Sequence, residues 1–241
     1  MKASELLGQT HFKALIYGDS GAGKTCFAAS MPGPIEYWDF DHKISSAVRY
    51  LQTQNKAAQL DEIEVYQFAN LPLMERIPAW EKRLKAINDC VQQKKPLPFK
   101  TLVVDSITTL SHHLMEDYIH RSQTGIKRPL PGINAMQDYQ LYEKHMTRVI
   151  TGLLGLPANV VVLGHVTIEK DEATGIISKR CLASGKALPE KLPIWFEEVY
   201  VALAKPDGSR VLLTQPLQNY VARCQRGLPK EVPMKVEEVL K

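Results

Sequence analysis

A glycine-rich segment that ends in lysine and threonine is the part of the sequence best suited to chemistry. Gly18–Thr25 reads G-D-S-G-A-G-K-T and fits the pattern G-x-x-x-x-G-K-[ST]. Glycines in such a loop let backbone N–H groups curl around phosphate oxygens, and the positive end of the following helix faces the same anion. We expect Lys24 to reach the β- and γ-phosphates and the Thr25 hydroxyl to bind Mg²⁺. The predicted phosphate-binding residues are Gly18, Asp19, Ser20, Gly21, Ala22, Gly23, Lys24, Thr25 and Cys26.

An acidic residue at the end of a buried strand would complete a magnesium site. The segment T-L-V-V-D-S at 101–106 places Asp105 at the end of a nearly continuous apolar run. Strands often end in a polar residue that only caps the following helix, and Asp105 or Ser106 could do so here. Because the P-loop lies upstream, we predict that Thr25 and Asp105 organise the metal and that Asp105 takes part in catalysis.

Hydrolysis also needs a group that positions or deprotonates the attacking water. Residues 39–42 read D-F-D-H after a short strand, and Asp39 and Asp41 share one face because they are two apart. Asp41 lies at the mouth of the predicted sheet, where ligands of open α/β sheets bind. His165, directly after V-V-V-L-G, is a further candidate to contact the γ-phosphate or its water. A helix cap at Asp41 and an ordinary strand-end histidine at His165 are the alternatives.

Alternating apolar strands and helices would position these residues. Strands are predicted at 12–17, 35–40, 63–67, 101–105 and 159–163, with helices after 26, 78, 110 and 141. The segment 168–191 reads as a long polar connection, and the tail at 198–203, 211–214 and 220–223 alternates like antiparallel strands. This order predicts a single α/β domain over residues 1–241, with a short lead-in at 1–11 and a closing helix at 234–241. Its central sheet would be mostly parallel and flanked by helices, with antiparallel strands at the C-terminal end.

Composition narrows the function classes. The 241 residues carry a net charge of only +4, so binding to nucleic acid would depend on local patches rather than on the overall field. The four cysteines are too few and too widely spaced for a disulfide framework or a metal finger, which favours a reducing compartment. No apolar run has the length of a membrane span. We therefore expect a cytoplasmic protein without a membrane partner.

Four segments in order resemble the RecA-like P-loop ATPase core. They are G-D-S-G-A-G-K-T, W-D-F-D-H, L-V-V-D-S-I-T-T-L and V-V-V-L-G-H, and the resemblance runs over roughly residues 12–232. The size of the chain and the later L-A-S-G-K-A-L look similar to small phage-encoded RecA-like ATPases of the single-strand-annealing recombination group. In a phage-encoded protein the expected location would be the host cytoplasm.

The resemblance implies roles for individual residues. Asp41 falls where the family carries its water-activating carboxylate, usually Glu in a D-x-E-H context, and is one methylene shorter. His165 falls on the position of a sensing Gln. Arg223 and Arg226, in Y-V-A-R-C-Q-R-G, follow a late strand, where basic residues of the family reach the nucleotide site of a neighbouring subunit. Such a cation would stabilise charge on the transferring phosphoryl group; surface charge is the alternative.

Two loops would correspond to those that contact single-stranded DNA in RecA-like proteins. These are residues 121–136 and 168–191, and within them 121–136 and 176–189 contain basic residues and no acidic ones. Such charge attracts phosphates without regard to base sequence and is sensitive to salt. Both loops lack aromatic residues on which bases could stack, so solvated basic loops are the alternative. The candidate DNA-binding residues are Arg121, Lys127, Arg128, Lys179, Arg180 and Lys186.

Together these features predict an enzyme that binds ATP and Mg²⁺ and hydrolyses ATP, with stimulation by single-stranded DNA. It would act in recombination as a ring or filament of identical subunits, with a single-strand-binding protein as a further possible partner. A nucleotide-dependent assembly switch that does not hydrolyse ATP is the first alternative. A small-molecule P-loop kinase is the second, although only Lys179–Arg180 resembles part of an arginine-rich lid.

Overall fold

A central β-sheet carries the residues that the sequence marks for chemistry. In the computed structural model of the protein, the described residues are 11–121, 136–170, 172 and 175–240. The strands among them are β1 Lys13–Gly18, β2 Ile35–Asp39, β3 Ile63–Gln67, β4 Thr101–Asp105, β5 Asn159–Lys170, β6 Ile177–Cys181, β7 Glu198–Ala204, β8 Arg210–Leu213 and β9 Glu231–Pro233.

Helices connect most of these strands. They are α1 Lys24–Ala29, α2 Ile44–Thr53, α3 Leu73–Gln92, α4 Ile107–Arg121, α5 Met136–Leu154, α6 Ala187–Trp195 and α7 Val236–Val239, with 3₁₀ helices at Ala57–Glu62 and Phe68–Asn70. None of the helices in the described ranges is long and apolar enough to cross a membrane.

The strand order places several strand ends beside one another. The order is β3-β2-β4-β5-β1-β7-β8-β9, and the neighbours from β3 to β7 all pair in parallel. In this register Asp39 lies beside Asp105, and Gly18 lies beside His165. The carboxyl ends of β1, β2 and β4 and the middle of β5 therefore meet at one edge of the parallel sheet, where open α/β sheets bind ligands.

Apolar residues cover both faces of the parallel strands, as the continuous apolar runs predict. On one face, Trp38 of β2 packs edge-to-face against Trp80 of α3, and helices α4 and α5 join the same cluster. On the other face, Tyr37 packs with Phe27 of α1 and with residues of α2 and α7. The result is a three-layer α/β domain, which confirms the predicted fold class.

The C-terminal part differs from the prediction in four places. Strand β7 pairs in parallel with β1, although its sequence alternates, because both of its faces are buried; β8 and β9 are antiparallel as predicted. The supposed polar connection at 168–191 contains the end of β5, strand β6 and the start of α6, since β5 continues into an antiparallel hairpin. Residues 220–223 form only isolated bridges, and the closing helix is limited to α7.

Candidate functional site

The P-loop connects β1 to α1 and depends on glycine at both of its ends. A side chain at Gly18 would lie 2.3 Å from the carbonyl oxygen of Ala202 on the adjacent β7. Gly23 has a φ of +98°, a left-handed conformation that favours glycine, and it immediately precedes α1. The Lys24 ammonium group donates to the carbonyl oxygens of Gly18 at 2.9 Å and Asp19 at 2.8 Å. Burial lowers the pKa of Lys24, and the nearby charge of Lys43 lowers it further.

The two residues predicted to organise the metal lie in direct contact. The Thr25 hydroxyl donates to Asp105 Oδ2 over 2.8 Å. The buried Tyr37 hydroxyl donates to the same oxygen over 2.6 Å. Burial raises the pKa of Asp105, and these two hydrogen bonds oppose the increase by stabilising the carboxylate. Sequence analysis missed Tyr37, which reads there only as one residue of an apolar strand.

Asp41 and His165 also meet at this edge of the sheet. His165 Nε2 lies 3.1 Å from Asp41 Oδ2, and the Ser106 hydroxyl donates to Asp41 Oδ1 over 3.2 Å. The Lys43 ammonium group lies 3.3 Å from Asp41 Oδ2 and 3.1 Å from His165 Nε2. Burial by itself would raise the pKa of Asp41, but hydrogen bonds from His165 and Thr109 and the charge of Lys43 hold it well below its usual range. Asp41 is therefore a buried, ionised carboxylate.

These groups surround one cleft with a volume of about 360 Å³. The Asp41 side chain is only 4% exposed and lies behind His165 and Lys43, which form part of the wall. The cleft is lined by Ser20, Gly21, Gly23, Lys24, Thr25, Cys26, Lys43, Ser46, Asp105, His165 and Arg210. Lys43, Ser46 and Arg210 were not predicted. Lys43 directly follows D-F-D-H in the sequence, so its position next to that motif could have indicated it. Arg210 comes from β8, and no local pattern indicates it.

The donor groups of the cleft fit a magnesium-bound nucleotide. Mg²⁺ prefers oxygen ligands and is usually held by one or two carboxylates together with substrate phosphates and water. Thr25 and Asp105 provide such oxygens, while Lys24 and the backbone of the glycine-rich loop provide donors for phosphate. Within the described ranges, no group of three or more His, Cys, Asp or Glu side chains could hold a metal by itself. A larger groove of about 510 Å³ between α3 and α5 contains none of these residues.

Three of the six basic residues predicted to bind DNA lie on and beside the β5–β6 hairpin, namely Lys179, Arg180 and Lys186. Lys179 of β6 places its ammonium group 4.4 Å from the centre of the Tyr220 ring. Arg180 forms ion pairs with Glu190 at 3.0 Å and Glu169 at 3.8 Å. The exposed Lys186 immediately precedes α6 and borders a cavity that Tyr139 also lines. Aromatic residues absent from the loop sequence are thus supplied by other segments.

The remaining predicted basic residues either do not line the cleft or lie outside the described residues. Arg223 donates to the carbonyl oxygens of Pro193 at 2.9 Å and of Phe196, at the end of α6. The guanidinium carbon of Arg226 lies 5.4 Å from the centre of the Phe12 ring, which precedes β1 and is at the opposite end of that strand from the P-loop. Lys127 and Arg128 are outside the described residues, as are residues 1–10 of the lead-in and the side chain of Arg121. A trans role for the two arginines stays a prediction.

Comparisons with known proteins give a family match and similar solved structures. Residues 10–225 match the family described as "AAA domain". Among solved structures, the chain is similar to the RadB recombinase, with 15% identity, a TM-score of 0.46 and coverage of 91% of this chain and 87% of that one. It is also similar to an ATPase of the type III secretion system of pathogenic bacteria, with 12% identity, a TM-score of 0.47 and coverage of 79% and 52%. A search of curated proteins finds no match. From the family match and the P-loop site, we conclude that the chain belongs to the AAA domain family and is an ATP-binding P-loop ATPase domain.

Proposed function

We propose that the protein hydrolyses Mg-ATP in the P-loop cleft, that single-stranded DNA stimulates this reaction, and that it acts in recombination as an oligomer. The observation that supports hydrolysis most directly is the convergence of Lys24, the Thr25–Asp105 pair and His165 on one cleft. The lysine, threonine and aspartate have defined tasks in phosphoryl transfer at P-loops, and histidine is the side chain that most often transfers protons in catalysis. A narrower relationship to phage-encoded annealing-type ATPases remains a proposal based on the sequence motifs.

The chain's own groups would bind and orient the triphosphate. Lys24 would exchange its contacts with the Gly18 and Asp19 carbonyls for the β- and γ-phosphate oxygens. Thr25 and Asp105 would hold the metal side of the site, and the hydrogen bond from Tyr37 would keep the Asp105 carboxylate in one orientation. When bound, Mg²⁺ would neutralise negative charge on the phosphate oxygens.

Asp41 and His165 would act on the attacking water as a pair. The Asp41 carboxylate is buried and its pKa is held well below its usual range, by the hydrogen bonds and charge described above, so it is a weak base but a strong acceptor for the imidazole. His165 lines the cleft directly. We assign the contact with water to His165 and the orientation of its ring to Asp41, in the manner of a carboxylate–imidazole pair.

The β5–β6 hairpin supports the proposed contact with single-stranded DNA. Lys179 stacks over Tyr220, and Lys186 lies near Tyr139, so positive charge and aromatic rings occur together as general single-strand binding requires. Strand β5 of this hairpin, which runs from Asn159 to Lys170, also carries His165. DNA on the hairpin would therefore act on the nucleotide cleft through one continuous strand.

A rate measurement tests this function. We expect phosphate release from Mg-ATP to rise when single-stranded DNA is added at low salt, and to fall by about 100-fold or more in Lys24→Ala, because a phosphate-binding cation is lost. Lys85→Ala, at an exposed position of α3, is the matched control and should behave like the wild type. Turnover that is indifferent to DNA across low salt would contradict the recombination assignment.

A second candidate function is a nucleotide-dependent assembly switch that does not hydrolyse ATP. The observation that favours it is the saturation of Asp41 by His165, Lys43 and Ser106, which leaves this carboxylate poorly suited to deprotonate water. Sizing of the protein with ADP and with ATP distinguishes the two functions. Assembly that depends on ATP but proceeds without phosphate release would favour the switch.

A further inference from the structure

Lys43 is a cation of the cleft whose backbone is held by hydrogen bonds and whose side chain is partly exposed. It lies between β2 and α2, and its backbone N–H donates to Asp39 Oδ1 over 3.3 Å. Its carbonyl oxygen accepts from both the backbone and the hydroxyl of Ser46, at 3.0 and 2.8 Å. The side chain is 40% exposed and lines the cleft with Lys24 and Thr25. A fixed backbone with a partly exposed, charged side chain suits a residue that changes partners.

The contacts of the Lys43 ammonium group compete with one another. It lies within hydrogen-bond distance of His165 Nε2, which in turn lies within hydrogen-bond distance of Asp41 Oδ2. One imidazole nitrogen cannot accept a hydrogen bond from Lys43 and donate a hydrogen bond to Asp41 at the same time. If Nε2 carries the proton and donates to Asp41, Lys43 loses its acceptor on His165. Lys43 would then keep only its ion pair with Asp41 Oδ2 at 3.3 Å, and an anionic phosphate in the cleft could replace this partner while Asp41 and His165 stay paired.

Lys43 and Lys24 flank the part of the cleft next to the start of the P-loop. His165 lies beside Gly18 in the register of β5 and β1, and Lys24 contacts the carbonyl oxygen of Gly18. Because the P-loop lysine reaches the β- and γ-phosphates, this end of the cleft is the terminal-phosphate end. Two ammonium groups close enough to influence each other favour an anion with several charged oxygens between them.

We propose that Lys43 binds the terminal phosphate of a nucleoside triphosphate, as a second cation supplied by the same chain. The proposal rests on the function proposed above, because it assumes that a nucleotide occupies the P-loop cleft. In the diphosphate state Lys43 stays with Asp41 and His165, and in the triphosphate state it moves to the phosphate. Lys43 thereby makes the cleft favour triphosphate over diphosphate.

Binding measurements test this role without relying on turnover. Dissociation constants would be measured with Mg²⁺ for ADP and for a non-hydrolysable ATP analogue, by displacement of a fluorescent nucleotide. In Lys43→Met, affinity for the analogue should fall about tenfold or more, as expected for a lost charge-assisted hydrogen bond, while affinity for ADP stays within about twofold. Lys43→Arg should recover most of the preference, and Lys85→Met should match the wild type.

A second background separates phosphate binding from a structural role at Asp41. In Asp41→Asn, Lys43 loses an anionic partner, so affinity for the analogue should stay the same or rise, and adding Lys43→Met should still lower it about tenfold. Equal losses for ADP and analogue, or no effect of Lys43→Met in the Asp41→Asn background, would overturn the proposal while leaving the proposed function intact. Failure of the wild type to bind either nucleotide would instead overturn the proposed function.

Discussion

The contacts of the Asp41 carboxylate define its role in this site. Ser106 occupies one of its oxygens, and His165 and Lys43 converge on the other, so the group is ionised and fully engaged. Its neighbour Asp39 is also buried, but Asp39 Oδ1 accepts only from the backbone N–H groups of Asp41 and Lys43 among the described residues. The two acids therefore have different roles: Asp41 acts on side chains of the cleft, and Asp39 shapes the turn that carries them.

Substitution of each acid by its amide tests this difference. Asp41→Asn should retain nucleotide binding but lose about 100-fold in hydrolysis, because the amide no longer stabilises the His165 imidazole as a carboxylate does. Asp39→Asn keeps an acceptor oxygen for the turn and should stay close to the wild type. Single-turnover hydrolysis and nucleotide affinity would be measured for both. A large loss in Asp39→Asn with none in Asp41→Asn would show that the acids have been assigned the wrong way round.

At the scale of elements, the β5–β6 hairpin joins the nucleotide cleft to the candidate DNA surface. The backbone N–H of Leu182, just after β6, donates to the His165 carbonyl oxygen over 2.7 Å. The single hydroxyl proton of Tyr17, immediately before the P-loop, has two acceptors within reach, the carbonyl oxygens of Val221 at 2.7 Å and Lys179 at 3.0 Å. The hairpin is therefore bonded both to the histidine of the cleft and to the strand that leads into the P-loop.

The basic residues of the hairpin should contribute unequally to DNA binding. Lys179→Gln should weaken single-strand binding and reduce its log–log salt dependence by about 0.7, the value for one lost phosphate contact. Arg180→Gln should have a smaller effect, because Glu190 and Glu169 already neutralise the arginine. Fluorescence anisotropy at several salt concentrations measures both quantities, with Lys82→Gln on α3 as the control. Equal effects of all three substitutions would contradict a specific role for the hairpin.

At the scale of the whole molecule, Arg226 cannot serve the cleft of its own chain. Its guanidinium group stacks near Phe12, and the six residues of β1 that separate this position from the P-loop span about 20 Å. Because Arg226 lies at the Phe12 end of the subunit, we propose it for the contact with a neighbouring subunit, while Arg223 donates to carbonyl oxygens at the end of α6. An active assembly would place the Phe12 end of one subunit against the cleft of the next.

Mixed assemblies test this contact between subunits. Arg226→Ala should lose about 1,000-fold in turnover if the arginine acts as a trans cation, and Lys24→Ala should be inactive in its own cleft. Mixing the two variants creates interfaces that contain an intact Lys24 and an intact Arg226, so turnover should partly return. Phosphate release and assembly size would be measured on the same mixtures. Assembly without any recovery of turnover would count against Arg226.

Local sequence determined the parts of this protein that depend on neighbours in the chain. The glycine-rich loop, the apolar strands and the strand-end position of Asp105 follow from patterns of a few residues, whereas β5 continues past the predicted end at 163, so His165 lies within that strand. The fold class followed in turn, because alternating strands and helices allow few arrangements other than a parallel sheet. The parallel pairing of β7 was missed, since alternation in sequence does not reveal that a strand is covered on both faces.

Only the tertiary structure decided which side chains meet. Asp41 and His165 are 124 positions apart in the sequence. Lys179 of β6 contacts the ring of Tyr220 from a separate segment, and Arg210 of β8 lines the P-loop cleft. Two acidic residues outside β6 neutralise Arg180, so the charge of a segment in sequence overstated the charge of its surface. The physical reason is the same in each case. The register of the sheet and the packing of its helices set these distances, and no local pattern of residue types encodes them.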